Sequence, residues 1–170
     1  MDTFEAISTR RSIRKYTGNP VNEEMIQKIL AAAMMAPSAG NEQPWQFLVL
    51  RRKETLRAIS QAHPYADMAE HADAAILVCA DMTRVKHREY WSQDCAAATQ
   101  NMLLAAHALG LGAVWVGVYP RERRVEEIRS VIPLPDQIIP FSLVPVGHPA
   151  EKKEAEHRFD ESRIHRESWR

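Results

Sequence analysis

Apolar positions along this chain follow two rhythms. One recurs every three to four residues, and the other is short unbroken runs bounded by turn formers; the switches between them predict the elements. Phe4 and Ile7 share one helical face, and Asp2 with Glu5 resembles a capping box, so a short helix is expected up to about Thr9. "GNP" at 18–20 is a turn. Asn22 caps a second helix, with Glu23 and Glu24 in its first turn and an apolar stripe of Ile26, Ile29, Leu30, Ala33 and Met34; Pro37 stops it. "PSAGNEQP" (37–44) is a loop, "WQFLVL" (45–50) a strand, and 53–62 a short helix with Leu56 and Ile59 inward.

"AAILVCA" (74–80) is a buried strand, too short for a typical buried helix and partly β-branched. Residues 92–109 form a long Ala-rich helix capped by Ser92, with Asp94 in its first turn. "GAVWVGVY" (112–119) is another strand, and 121–131 a helix with Val125, Ile128 and Val131 or Ile132 apolar. "IIPFSLVPVG" (138–147) is a strand with two internal prolines, which predicts an edge position or irregular pairing. Residues 148–170 are a polar tail. Helices alternating with strands make a layered α/β-type sheet, and 170 residues suit one domain spanning 1–170. No strand opens the chain and no GxGxxG follows one, so a plain dinucleotide-binding unit is not supported.

Three stretches hold more polar or glycine residues than their helices, turns and strands require. "RRSIRKY" (10–16) packs Arg10, Arg11, Arg14 and Lys15 around Ser12. Arg10 and Arg11 suit the negative end of a helix, but several guanidiniums beside a hydroxyl also suit a phosphate monoester. "PSAGNEQPW" (37–45) has the residue types of a connector, yet Ser38, Asn41 and Gln43 cluster densely enough to read the edge of a heterocycle or sugar. In "GLGAVWVG" (110–117), Gly117 lies inside an apolar run, where a glycine often marks close approach of another group.

Charge and cysteines narrow the classes. Lys plus Arg and Asp plus Glu both number 22, so no basic field supports a nucleic-acid or membrane-surface partner. Cys79 and Cys95 form no CxxC pair, and no signal-peptide core opens the chain, which points to a reducing, cytoplasmic setting. The seven histidines (63, 71, 87, 107, 148, 157, 165) show no metal-binding spacing, so no metal is expected.

Taken in order, the three stretches resemble motifs of the nitroreductase family. "RRSIRKY" is similar to R-R-S-x-R, "PSAGNEQPW" to P-S-x-x-N-x-Q-P-W, and "AAHALGLGAVWVG" to A-x-x-L-G-L-G-x-x-W-x-G. The resemblance implies an α+β fold, a three-layer α/β/α sandwich with a central mixed sheet, dimeric, with FMN at the dimer interface. By similarity Arg10, Arg11, Ser12 and Arg14 hold the phosphate, ribityl chain and pyrimidine end. Pro37, Ser38, Ala39 and Asn41 reach the same flavin from the partner subunit, and Val116 and Gly117 offer backbone N–H groups toward N5 and O4. A tail arginine completes the phosphate site, Arg158 first and Arg163 second.

The implied activity is hydride transfer from NAD(P)H through FMN N5 to a small acceptor, nitroaromatic or quinone-like, with ping-pong kinetics and no catalytic side chain. Arg14 would stabilise the reduced flavin near N1. Segment 81–93 is the only cover available over the flavin, with Tyr90 and Trp91 either near a substrate or in the core. The alternatives are a related flavoenzyme with a dedicated reductive reaction, a non-catalytic FMN-binding or storage protein, and a plain phosphate-ligand binder.

Overall fold

The protein was analysed as a computed structural model that describes residues 1–169. In chain order its elements are α1 (Thr3–Thr9), α2 (Glu23–Met34), β1 (Trp45–Leu50), α3 (Lys53–Ala62), β2 (Ala74–Asp81), α4 (Trp91–Ala108), β3 (Gly112–Ala113), β4 (Val116–Gly117), α5 (Glu122–Val131) and β5 (Ile138–Gly147). The two caps legible in the sequence are made: the Asp2 carboxylate accepts from Glu5 N–H and the Asn22 side chain from Met25 N–H, each at 2.8 Å. The third is not. Tyr90 rather than Ser92 stands at the N-cap of α4, with no side-chain cap bond. Trp91 opens the helix because its ring packs on Tyr119 and Phe141, centroids 4.5 and 6.2 Å away. Burying an indole outweighs a cap worth about 1 kcal/mol.

The strands form one sheet in the order β1-β2-β5-β3, with β4 also on β5. Every ladder between named strands is antiparallel, and the parallel contribution is the single bridge Ser12↔Ala113. The antiparallel sense at β1–β2 arises because α3 and the 3-10 turn Asp67–His71 return the chain to the end where β1 left it, so that Leu50 faces Ala75.

The proline-bearing strand β5 is central, not an edge. Its irregular pairing is where the prolines predict it. Between Val78↔Ser142 and Cys79↔Pro140 the register slips by one, leaving Phe141 as an extra residue. The Phe141 carbonyl then accepts from Val118 N–H at 3.1 Å and Tyr119 N–H at 3.0 Å. On the other side the strand expected over 112–119 is interrupted into β3 and β4. Gly112↔Gly147 and Val116↔Leu143 are in one continuous register, which sets Val114 opposite Pro145. Proline has no N–H for the ladder, and the strand breaks there.

Residues of β2 alternate between two apolar layers. Ala74, Ile76, Val78 and Ala80 pack with α2 and α4 (Ile26, Ile29, Ala98, Met102); Ala75, Leu77 and Cys79 pack with α3 and α5 (Leu56, Ile59, Ile128). This is the three-layer arrangement expected. Both cysteines are free and buried; burial pushes the Cys79 thiol up to about 12, so it is an inert core group. Met34, assigned to the inward stripe of α2, is instead half exposed, and Phe4 of α1 is 85% exposed. Nothing in the described chain covers them.

Candidate functional site

The cationic stretch is held in an extended run at the sheet's end. Ile13 N–H donates to Ala113 O at 3.0 Å beside the Ser12 bridge, and the Tyr16 hydroxyl donates to Ile13 O at 2.9 Å. The tail closes over its other side. Glu151 Oε1 accepts from Arg14 N–H at 2.6 Å and Lys15 N–H at 3.3 Å, Lys153 Nζ donates to Ser12 O at 2.7 Å, and Arg11 Nε donates to Glu154 O at 2.8 Å. The backbone is thus paired on both flanks while the cations are left to gather.

Their gathering is electrostatically unfavourable as it stands. The Arg10 guanidinium is pushed below its ordinary value, first by burial and then by the charges of Arg11 and Arg158. Among the described residues it has no ion-pair or hydrogen-bond partner of its own. Arg11 donates through Nη1 to Arg10 O at 2.6 Å, but its Nη2 is buried with no acceptor. An orphan buried N–H of a cation costs free energy unless an acceptor arrives, and an anion supplies one. Arg158 donates through Nε and Nη2 to one oxygen of Glu156, Oε2, at 2.8 and 2.6 Å, and its charge bears on Arg10. Arg163 is 82% exposed and pairs with Asp160. Of the two tail candidates, only Arg158 bears on Arg10.

The second polar stretch makes a tight 3-10 turn at Ala39–Asn41, with Gly40 and Asn41 at positive φ (56° and 54°). Ser38 Oγ accepts from Gln43 N–H at 3.0 Å, and Gln43 Nε2 donates to Asn41 Oδ1 at 3.3 Å. Two acidic groups that the motif reading did not single out fix this loop. Glu42 accepts from Lys86 N–H and His87 N–H, and its Oε1 lies 2.6 Å from His87 Nδ1, tying segment 81–93 to the loop. Asp94 Oδ1 accepts from Ala39 N–H at 3.0 Å while its Oδ2 is buried and unpaired. Trp91, in that segment, belongs to the core; Tyr90 remains 43% exposed.

Burial raises the Asp94 carboxyl above its ordinary value. A raised folded pKa favours folding fully below the unfolded value of about 4 and less as pH rises through the folded one. Asp94→Asn keeps an acceptor for Ala39 and removes the unpaired charge. Its urea midpoint is expected to exceed wild type at pH 7, with the gain gone below about pH 4. A midpoint below wild type at pH 7 would contradict this account.

The third stretch places Val116 and Gly117 opposite Leu143 and Ser142. Gly117 borders a cavity of about 390 Å³ lined also by Arg14, Tyr65, Met68, Trp115 and Arg124. A Cβ built on Gly117 would meet only Arg124 Nη1, at 3.9 Å. The chain's own packing therefore does not require glycine there, and space is left over its backbone. Two donors converge on the Gly117 carbonyl, His63 Nε2 and Arg124 Nη1, each at 3.1 Å. Motif reading missed both, since His63 was considered only for metal spacing and Arg124 only as part of a helix.

The arginine cluster and the 37–41 loop are not brought together within one chain. Thr9 Oγ1 lies 2.8 Å from His107 near the C-terminal end of α4, whereas Ala39 is bonded to Asp94 near its N-terminal end. Asp94 and His107 are thirteen helical rises apart, roughly 20 Å.

The Nitroreductase family model matches residues 7–66 and 60–148. The chain belongs to the nitroreductase family. Membership makes it an oxidoreductase. It is 54% identical, over 99% of its own length and 88% of the relative's, to a Methanothermobacter thermautotrophicus protein described as a candidate NADH dehydrogenase/NAD(P)H nitroreductase. A solved structure of the same description from Parabacteroides distasonis superposes with a TM-score of 0.94 at 40% identity, covering 98% of both chains. A candidate nitroreductase of Desulfovibrio desulfuricans, solved in complex with FMN, superposes with a TM-score of 0.85 at 32% identity, covering 100% of this chain and 99% of that one. Among the described residues no helix is long and apolar enough to cross a membrane.

Proposed function

We propose that this family member is an FMN-dependent NAD(P)H oxidoreductase that works as a homodimer on small acceptors, nitroaromatic or quinone-like, with ping-pong kinetics. The observation that carries the reading is the buried Nη2 of Arg11, without an acceptor among the described residues, beside an Arg10 with no counter-ion among them, a donor set that fits a dianionic phosphate. Arg10, Arg11, Ser12 and Arg158 would hold that phosphate. Arg14 would lie at the pyrimidine end, where its charge favours negative charge on the ring. Val116 and Gly117 would present backbone N–H groups to the reactive edge, in the space glycine leaves open. The flavin, when bound, supplies the hydride exchange between nicotinamide and acceptor.

Pro37, Ser38, Ala39 and Asn41 would complete the site from the second copy. The separation along α4 supports this, because one chain holds its two polar clusters at opposite ends of that helix. Exposed Phe4 (85%), Ile7 (54%) and Met35 (81%) supply apolar surface for such a seam.

Purified protein is expected to be yellow after incubation with FMN, to bleach anaerobically with NADH or NADPH, and to recolour with a quinone or nitroaromatic. Light scattering is expected to give twice the mass of the 170-residue chain. Colourless protein, or a stable monomer retaining FMN, would overturn the reading. Yellow protein indifferent to both nicotinamides would leave a flavin-storage protein instead.

A further inference from the structure

Gly117 is the most freely rotating residue type, at one of the two strand positions that the proposed function sets against the flavin's reactive edge. A backbone N–H on a glycine can orient a ring only if rotation about that residue is restrained. β4 is two residues long; Val114 and Trp115 before it have left the ladder, and after it the backbone is held to β5 through the bulged Phe141 carbonyl, which accepts from Val118 and Tyr119 N–H. The Gly117 carbonyl is clamped by two side chains from outside the sheet. His63 comes from the C-cap of α3 and is 1% exposed; Arg124 comes from α5 and stacks over the Tyr65 ring, its Cζ 4.8 Å from the centroid.

The imidazole's proton is assigned by its partners. Tyr65 N–H donates to Nδ1 at 3.2 Å, so Nδ1 carries the lone pair. Nε2, 3.1 Å from the Gly117 carbonyl, must then carry the hydrogen and donate it. His63 is therefore neutral, with both nitrogens used. Burial acts in the same direction, holding its pKa below the ordinary value.

We propose that His63 and Arg124 are positioning residues for the flavin: the neutral Nε2–H tautomer of His63 and the Arg124 guanidinium together fix the Gly117–Val118 peptide and so restrain rotation at Gly117, whose own N–H would face the isoalloxazine edge. This rests on the proposed FMN site and adds residues lying outside all three sequence motifs. Because the clamp acts at the ring and not at the phosphate, its loss penalises riboflavin and FMN alike. Loss of Arg10 penalises FMN only.

The test titrates wild type, His63→Leu, His63→Gln and Arg124→Met with FMN and with riboflavin, following flavin fluorescence and the visible band. His63→Leu and Arg124→Met are each expected to weaken both ligands by about the same factor, roughly tenfold, and to shift the band. His63→Gln, whose amide can both donate and accept, is expected to restore wild-type values. Folded Leu and Met variants that bind both flavins like wild type would overturn the proposal, as would a selective loss of FMN alone. Imidazole ¹⁵N shifts and the exchange rate of the Gly117 amide, measured without any flavin, keep the two readings separate. A proton on Nδ1 of His63, or a Gly117 amide exchanging no faster in His63→Leu, would overturn the clamp. If wild type bound no flavin while these two measurements came out as expected, the FMN reading and the positioning role would fall and the clamp on the Gly117 carbonyl alone would stand.

Discussion

Arg10→Ala is expected to weaken FMN binding by about 1.5 to 3 kcal/mol, a ten- to hundredfold rise in Kd, because it deletes charge-assisted donors to the phosphate. The flavin-free variant is expected to be no less stable than wild type. In the free protein Arg10 has no counter-ion among the described residues and is crowded by Arg11 and Arg158, so its removal relieves repulsion. Weaker FMN binding by an apoprotein no less stable than wild type is the signature to look for. Thermal denaturation with and without FMN measures both sides, since a ligand that binds only the folded state raises Tm by mass action. The loss should also shrink at high salt, where the wild-type phosphate contact is itself screened. A variant with wild-type Kd would place the phosphate elsewhere.

Gly112→Ala is expected to damage the same site from a distance. A Cβ at this position would sit 2.6 Å from Ile13 Cγ2 and 2.9 Å from Ile13 Cβ. The second of these is not the mobile end of a side chain, so the backbone at Ile13 must move. Ile13 is anchored there by the bond from its N–H to Ala113 O, and Arg11, Ser12 and Arg14 are its neighbours in the extended run. Overpacking of this kind costs about 1 to 3 kcal/mol of stability. Flavin affinity should fall as well, because the guanidiniums are carried with the displaced strand. Chemical denaturation and flavin titration on the same preparation check the pair. Unchanged values for both would show that the 10–16 run does not rely on its contact with β3.

Helices of strong period were legible: α2 and α3 lie where their apolar spacing puts them, and the caps at Asp2 and Asn22 are made as the residue types predict. So was β2, whose unbroken apolar run is buried on both faces. What could not be read was pairing. The prolines of β5 signalled irregularity, but nothing local distinguishes an edge strand from a central strand whose proline gaps are met by a bulge on one side and a broken neighbour on the other. Ser92 looked like a cap because capping is a local rule. Its displacement by Tyr90 depends on Tyr119 and Phe141, which meet Trp91 only after the sheet has formed.

The site divides in the same way. By itself the order of residues determined the elements, the three polar stretches and, through their likeness to family motifs, the cofactor to expect. These are properties of neighbours along the chain, where period, capping and residue type act directly. Tertiary structure alone decided that the charge of Arg158 bears on Arg10 while Arg163 pairs with Asp160, that Glu42 and Asp94 brace the 37–41 loop, that His63 and Arg124 meet at one glycine carbonyl, and that α4 holds the two polar clusters apart. Each of these depends on through-space distance between groups far apart in sequence, and hydrogen bonds and buried charges respond to that distance rather than to position along the chain.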